Sequence, residues 1–421
     1  MLHRKLALAA TVAGIAVTAS PAFGQVPVPG GPGSLQPPTQ APPPPPPPGP
    51  QVVAPPVAPP PPAGPPQLQG PAPPDVATMV AGINSRLSGA VGYAYTITRN
   101  GQVVAEAGVR DRRRAIDGQA DFTPTSRLEV MSVTKNMTAI ALLKLLHQRA
   151  ISVDASIGRY LPLQWKKAKG FRRKGYKRIT FRHLLTHTSG IRQVMNAAPA
   201  SAGLGNGWDG LRKLVARGAY PNPASGQYKN ANYALMRVLI PRLTGMIFVS
   251  EAKAYKRYLY WMNKAVFKPA GVATVRCHAP VDSVAALAYD AGDPAEGGVL
   301  PERQGDDAVD CGGHTGLHLS SRDLAKVLAH LRHSGKVLPA AVRSAMFAGR
   351  LGWSEGSNNG AGRTDTANTW WHGGDGTFSG RQIHTCVMAL PQGFEASLVV
   401  NSQPGGACGV LLGSYKEAAA A

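Results

Sequence analysis

The sequence predicts a mixed α/β domain, in which an antiparallel sheet formed from N- and C-terminal strands is flanked by helices and carries a large, mostly helical inserted lobe. Strand-like runs occur at 91–98 and 103–109, and again at about 381–390 and 394–401. Between them, from about 150 to 365, the chain has mostly helical patterns and long loops. Strands at both ends with helices between them favour a single sheet built from the two termini.

Local signals place the individual elements. Asp75 can cap a short amphipathic helix that runs to about Leu87. Arg99-Asn-Gly-Gln102 contains the Asn-Gly pair typical of a hairpin turn, and Pro391-Gln-Gly393 predicts the turn between the last two strands. The remaining helices are predicted at 231–245, 249–267, 321–334 and about 408–420.

Two segments precede the globular region. Residues 1–24 combine a basic start with a short apolar run, Leu6 to Ala19, which is typical of a secretory signal peptide; a retained membrane anchor is the alternative. Residues 25–75 hold 24 of the 38 prolines and predict a disordered, extended spacer. The globular domain is therefore assigned to 76–421. We expect a periplasmic or secreted protein with no stable membrane span after signal cleavage.

The net charge of +22 lies almost wholly in the globular region, most densely at Lys166–Arg178. A solvated loop is the simple interpretation, and an acidic polymer of the cell envelope is the alternative partner. Nucleic acid is not expected, because export is predicted and no nucleic-acid motif is present.

Four cysteines in an exported chain predict two disulfides, for which three pairings exist. We favour 277–311 and 386–408, because each closes a local loop. No Cys-x-x-Cys motif or His/Cys cluster suggests a metal site.

The first candidates for chemistry open an apolar helical run. Ser132 and Lys135 should lie one turn apart on one helix face, at an N-terminus that offers free N–H groups. A serine needs a neighbouring base to become a nucleophile, and a desolvated lysine can serve. Alone this spacing is weak: Ser250-Glu-Ala-Lys253 is a second copy, and a capping serine followed by a solvated lysine is the commoner structure.

Three further motifs follow along the chain. Arg182–Ile191 contains Leu-Leu-Thr-His-Thr-Ser-Gly. Tyr228 and Asn230 come just before an apolar helix, where a tyrosine can relay a proton and an asparagine can bind a substrate carbonyl and orient the lysine. Residues 372–375, His-Gly-Gly-Asp, precede the C-terminal strand pair, and their glycines allow close approach of a ligand. The other His-x-Gly triplets, at 314–316 and 333–335, lack that context.

In this order, the Ser-x-x-Lys, Leu-Leu-Thr-His-Thr-Ser-Gly, Tyr-x-Asn and His-x-Gly motifs resemble the serine β-lactamase/penicillin-binding protein superfamily. The likeness covers roughly 77–420 and is greatest to the branch of class C β-lactamases, D-alanyl-D-alanine carboxypeptidases and esterases. The resemblance implies acyl transfer without metal or organic cofactor. The roles that it implies are nucleophile for Ser132, proton acceptor for Lys135, general base for Tyr228, substrate binding for Asn230, His372, Gly373 and Gly374, and an oxyanion hole from the main chain of Ser132 and Asp375.

Two departures from that pattern matter. His-Gly-Gly stands where many relatives carry Lys-Thr-Gly, so a titratable group replaces a permanent cation, which favours peptidase, amidase or esterase chemistry over a true β-lactamase. Asp375 also places a carboxylate beside the backbone N–H proposed as an oxyanion donor. The negative charge weakens that donor unless the Asp375 side chain turns away from it.

The sequence thus predicts an exported serine hydrolase of the cell envelope acting on amide or ester bonds. A D,D-carboxypeptidase or D-aminopeptidase-like enzyme is favoured, with a small molecule or a peptidoglycan peptide as substrate. The alternatives are an esterase or β-lactamase with the same site and, from another class, a non-catalytic cell-wall-binding protein.

Overall fold

The central sheet joins the two ends of the globular region. The computed structural model describes residues 72–167, 176–191, 206–219, 221, 227–247, 250–279, 285–301, 312–354 and 368–421. The strands in these ranges are β1 (Gly92–Arg99), β2 (Gln102–Arg113), β3 (Ala120–Asp121), β4 (Leu128–Glu129), β5 (His318–Leu319), β6 (Trp370–Phe378), β7 (Arg381–Ala389) and β8 (Phe394–Val400). Six form one antiparallel sheet in the order β3-β2-β1-β8-β7-β6, while β4 pairs with β5. Since β1 pairs with β8, the predicted union of the terminal strands is confirmed.

Helices cover both faces of this sheet. Those described are α1 (Val76–Arg86), α2 (Val133–Gln148), α3 (Leu163–Lys166), α4 (Phe181–Leu185), α5 (Trp208–Arg217), α6 (Asn230–Ala234), α7 (Met236–Leu243), α8 (Glu251–Met262), α9 (Ser321–His333), α10 (Ala340–Ala348) and α11 (Ala407–Ala420). The terminal helices α1 and α11 pack together on one face and share an apolar core with the sheet. On the other face α2 and α9 contact the strands, and the larger core extends from there into the helical lobe. The predicted fold class is confirmed.

Helix α2 is enclosed on nearly all sides. It contacts β6 and β7 on the sheet side and α7, α8 and α10 on the lobe side, and most of its side chains are buried. A helix surrounded in this way is held by packing on every face, not by one apolar stripe. Its N-terminus therefore has a fixed position between the sheet and the lobe.

Of the two predicted disulfide bonds, the described residues contain both cysteines of one and a single cysteine of the other. Cys386 and Cys408 are bonded, as predicted, and tie β7 to the first turn of α11. Cys277 is also disulfide-bonded, but its predicted partner Cys311 lies outside the described residues. The predicted signal peptide and spacer, and the centre of the basic run at 166–178, lie outside them too. No helix in the described ranges has the length and apolar character needed to cross a bilayer.

The sequence patterns missed one strand that matters. The glycine-containing segment before the C-terminal strand pair was expected only to approach a ligand, yet it is strand β6 at the edge of the sheet. Glycine weakens a strand, and three of them concealed its pattern. The adjacent strand β7 supplies the ladder that holds it extended.

The first prediction tests the sheet–helix core far from α2. Leu398 on β8 is fully buried against the α1/α11 layer. Leu398→Ala should lower the free energy of unfolding by about 2–5 kcal/mol, because lost burial adds to an unfilled cavity. Urea unfolding followed by tryptophan fluorescence measures this. Val104→Ala, at a side chain that is 41% exposed, is the control and should change it by less than about 1 kcal/mol. Equal effects of the two changes would contradict the described core.

Candidate active site

The turn into α2 is strained and tightly supported. Met131, which precedes Ser132, has φ of 46°, a left-handed conformation that side-chain-bearing residues seldom adopt. The Thr385 hydroxyl donates to the Val130 carbonyl oxygen at 2.9 Å. A Cβ on Gly374 would lie 2.6 Å from that same oxygen, so only glycine lets β6 come this close. The sheet therefore fixes the direction in which Ser132 points.

Ser132 occupies the N-cap of α2, yet its side chain caps nothing. Its Oγ instead accepts hydrogen bonds from Lys135 Nζ at 2.8 Å and from the Tyr228 hydroxyl at 2.7 Å. Lys135 Nζ also donates to the His314 carbonyl oxygen at 2.8 Å and lies 4.9 Å from the centre of the Tyr228 ring. The structure thus brings together the three residues predicted to be catalytic.

The second Ser-x-x-Lys copy has a different environment. Ser250 occupies the N-cap position of α8 without a side-chain capping hydrogen bond, and Lys253 is exposed on that helix. Lys135, by contrast, is 0% exposed. Burial of the lysine, which the spacing alone does not reveal, separates the two copies.

Tyr228 is held from behind by His187 of the Leu-Leu-Thr-His-Thr-Ser-Gly motif. The two rings stack with centroids 4.4 Å apart. The backbone N–H of Lys229 donates to His187 Nδ1 at 3.2 Å, which assigns the ring proton to Nε2. Burial, followed by the charge of Lys135, lowers the pKa of His187 well below its ordinary value. A neutral imidazole from this motif therefore packs against the phenol and supports it.

A cavity of about 430 Å³ opens above Ser132. Its wall includes Tyr228, Asn230, Gly373 and Asp375, together with the first turn of α11. This volume is typical of small-molecule sites. A buried Ser–Lys–Tyr cluster that opens onto such a cavity has the parts needed for nucleophilic chemistry.

Not every predicted contact residue of β6 reaches the cavity. Gly373 and Asp375 line it, whereas His372 and Gly374 do not. Successive side chains of a strand point to opposite faces, so odd and even positions separate. His372 is 1% exposed and its Nδ1 lies 3.0 Å from the Gly352 carbonyl oxygen, to which it donates.

The expected cationic function of His372 does not fit this position. Burial, and then the charge of Lys135, lowers the pKa of His372 to about 3. The ring is therefore neutral at physiological pH and cannot supply a positive charge for a substrate carboxylate.

Asn230 begins α6 at the cavity wall. Its Oδ1 is buried and has no hydrogen-bond partner in the structure, and Asn230 makes no hydrogen bond to Lys135 among the described contacts. A buried amide oxygen without a partner is costly, so this group is under-satisfied in the structure.

The Asp375 side chain contacts the neighbouring strand β7. Its Oδ1 accepts from His384 Nδ1 at 2.6 Å, across the β6–β7 ladder where the two residues face each other. Nearby, none of the hydrogen bonds of the described residues uses the N–H of Ser132. Because β6 is an edge strand, alternate N–H groups along it also point away from β7. The N–H of Ser132 and the outward-facing N–H groups of β6 are therefore candidate donors for a developing oxyanion.

Two residues that line the cavity were not predicted from the sequence. His314 and Thr315 line the cavity, although their His-x-Gly triplet had been set aside because no strand pair follows it. The buried Thr315 hydroxyl donates to Glu129 Oε1 at 2.7 Å, and this contact joins the segment to β4. Trp371 and Cys408 also line the wall, without any local sequence signal.

Comparison with known proteins agrees with this geometry. Residues 81–408 match the β-lactamase family model, so the chain belongs to the β-lactamase family. The predicted superfamily is therefore confirmed.

Individual relatives are more distant. The putative penicillin-binding protein PbpX of Bacillus subtilis is 27% identical over 190 residues, which are 43% of this chain and 41% of the relative. The match thus spans less than half of that protein. Two solved structures share the fold. A D-stereospecific amidohydrolase from Streptomyces sp. has a TM-score of 0.57 at 19% identity, covering 81% of this chain and 98% of that one. EstCE1, a hydrolase with promiscuous acyltransferase activity, has a TM-score of 0.63 at 17% identity, covering 82% and 98%.

The second prediction follows from the neutral His372. An unfolded histidine takes up a proton below about pH 6.5, whereas folded His372 does so only near pH 3. Stability is therefore lost as the pH falls through this window, by about 2 kcal/mol from this residue between pH 7 and pH 5. His372→Asn keeps a donor for Gly352 and should lose about 2 kcal/mol less than the wild type between these pH values.

Urea unfolding at the two pH values measures the difference. His147→Asn, at an exposed position, is the matched control and should keep the wild-type pH dependence. An unchanged slope in His372→Asn would show that His372 is not held neutral.

Proposed function

We propose that this protein is an exported serine hydrolase that cleaves amide or ester bonds through an acyl-enzyme at Ser132. The observation that carries the proposal is the pair of hydrogen bonds from Lys135 and Tyr228 to one serine oxygen at the base of a cavity. A serine in a structural role has no need of two titratable partners, one of them a fully buried lysine.

In the acylation step, Ser132 Oγ attacks the substrate carbonyl carbon while its proton passes to the Lys135–Tyr228 pair. The carbonyl electrons move to oxygen, where the N–H groups of Ser132 and Asp375 stabilise the negative charge. When the tetrahedral intermediate collapses, the bond to the leaving group breaks and the leaving group takes the proton. Water then attacks the ester carbonyl while one of its protons passes to the Lys135–Tyr228 pair. The bond between the acyl carbon and Ser132 Oγ breaks, the carboxylic acid leaves, and Ser132 takes up the proton.

The protonation state of the pair decides when Ser132 is reactive. Burial raises the pKa of Tyr228, the hydrogen bond to Ser132 lowers it, and the charge of Asp375 raises it further. The resting group is therefore a phenol that donates to Ser132 Oγ. Reaction requires the pair to lack one proton, with either a Tyr228 phenolate beside the Lys135 ammonium or a neutral Lys135 amine as acceptor.

The substrate class is narrowed by the neutral His372. Without a lysine at that position, the site has lost the cation that many relatives direct at a carboxylate. This supports a D-aminopeptidase-like or amidase activity, and the structural likeness to a D-stereospecific amidohydrolase is consistent with it. An esterase is the second candidate, supported by the likeness to EstCE1. Peptidoglycan peptides remain the proposed natural substrate, and the Cys386–Cys408 disulfide supports an oxidising compartment outside the cytosol.

The third prediction tests whether Ser132 is the nucleophile. A fluorescent fluorophosphonate should label the protein stoichiometrically, and Ser132→Ala should abolish the adduct. Lys135→Ala should slow labelling by about 10²–10⁴-fold, because the nucleophile loses its proton acceptor. In-gel fluorescence and intact-mass spectrometry measure both effects.

The chain offers a matched control for that experiment. Ser250→Ala and Lys253→Ala change the exposed second copy of the motif and should leave labelling at the wild-type rate. If the wild type formed no adduct but was retained on purified peptidoglycan, the hydrolase proposal would fail in favour of a wall-binding protein.

The fourth prediction concerns Tyr228. Tyr228→Phe keeps the ring stacked on His187 but removes the hydroxyl that contacts Ser132 Oγ. We expect acylation by the fluorophosphonate to slow about 10²–10³-fold with little change in thermal stability. Labelling rates and the melting temperature, measured together, separate loss of chemistry from loss of folding. A rate equal to that of the wild type would remove Tyr228 from the mechanism.

A further inference from the structure

We propose that the side-chain carboxylate of Asp375 binds a cationic group of the substrate, and that the enzyme therefore prefers acyl donors with a free ammonium next to the scissile carbonyl. This inference rests on the proposed function and names the substrate class for the same site. It concerns the side chain of Asp375, whereas the oxyanion role concerns its backbone.

The position of Asp375 suits such a contact. It lines the cavity that contains Ser132 and Tyr228, and its side chain is 69% exposed. His384 Nδ1 holds Oδ1 at 2.6 Å, which fixes the orientation of the carboxylate. None of the described hydrogen bonds uses Oδ2, so that oxygen is open to a ligand donor. A carboxylate held at one oxygen and open at the other is a ready acceptor for an ammonium.

Among the cavity-lining residues that the structure describes, none besides Asp375 carries a fixed charge. None of these described residues is Lys or Arg, and Asp375 is the one carboxylate among them. Lys135 is fully buried beneath Ser132, and His372 is neutral behind the wall. A substrate carboxylate placed here would meet a negative charge, whereas an ammonium would be attracted.

One feature of the wall acts in the opposite direction. Gly406, Ala407 and Cys408 bring the N-terminus of α11 to the cavity. A helix N-terminus carries about half a positive charge, shared among its first N–H groups. The full charge of Asp375 outweighs this, so removal of that charge should reverse the preference of the cavity from cations towards anions.

Geometry places the cation on the acyl part of the substrate. If the carbonyl oxygen is bound by the N–H of Asp375, the α-carbon lies two bonds and the α-substituent three bonds from that oxygen, beside β6. An α-ammonium is then within reach of the Asp375 side chain. The class of substrate is thus an amino-acyl amide or ester with an unblocked amine, such as the end of a peptide.

Binding of that ammonium also affects the base. The charge of Asp375 raises the pKa of Tyr228 and so opposes the reactive, deprotonated pair. A substrate cation at Asp375 offsets this charge and makes loss of the proton easier. A neutral substrate does not offset the charge of Asp375, so the pKa of Tyr228 stays raised. Asp375 therefore acts in two ways that favour the same substrates.

The test compares three p-nitroanilides that share a leaving group: D-alanine p-nitroanilide, its N-acetyl form and its N-succinyl form, which are cationic, neutral and anionic. The wild type should show the highest kcat/KM with the cationic one. Asp375→Asn should lower that value about 2- to 5-fold, as expected for an exposed ion pair, and should raise the values for the other two. Asp375→Glu keeps the charge and should keep the order of preference.

Asp209→Asn is the control for net charge, because it removes one exposed acid on α5 far along the chain from β6. It should leave all three values unchanged. Fluorophosphonate labelling of Ser132 is measured in every variant. Failure of the wild type to label would refute the proposed hydrolase. If labelling is normal, the hydrolase proposal stands, and three results would reject the cation site. They are equal losses of kcat/KM on all three anilides in Asp375→Asn, a wild-type preference for the neutral or anionic anilide, and no turnover of any anilide.

Discussion

A fully buried lysine beneath a serine hydroxyl is the constraint on which this site depends. Removing an ammonium from water is costly unless polar groups surround it. Lys135 has the Ser132 hydroxyl, the His314 carbonyl and the face of the Tyr228 ring. Its charge in turn helps to lower the pKa of both His187 and His372. Burial is the main cause of the low pKa of both imidazoles, and the charge of Lys135 adds to it, so the two rings beside the lysine are neutral.

The position of that lysine is a consequence of the whole architecture. Helix α2 is enclosed between the sheet and the lobe, so its first turn cannot shift without disturbing both. The C-terminal strands reach the same point through Thr385 and Gly374, and the Cys386–Cys408 disulfide ties the start of α11 to the cavity wall. Segments 255 residues apart in the chain therefore meet at the Val130 carbonyl oxygen.

Charge acts on two length scales in this protein. The net charge of +22 gives a long-range field that attracts anionic surroundings and is screened by salt. The cavity, however, places a carboxylate beside the nucleophile, where contact chemistry decides which substrate is bound. Salt screens the long-range field but has little effect on direct contacts inside the cavity, so the net positive charge and the local negative charge can act independently.

The sequence by itself determined the terminal strands, the long helices and the order of the polar motifs, because periodicity and turn residues are local signals. It also identified Ser132, Lys135 and Tyr228, though only in the context of the later motifs, since Ser250 and Lys253 have the same spacing. Tertiary structure alone decided that Lys135 is buried, that His372 is neutral and behind the wall, and that Asp375 faces the cavity. Burial and the face of a strand depend on what packs against each residue. Those neighbours come from distant parts of the chain, and the spacing of residues along the sequence does not show which of them will pack together.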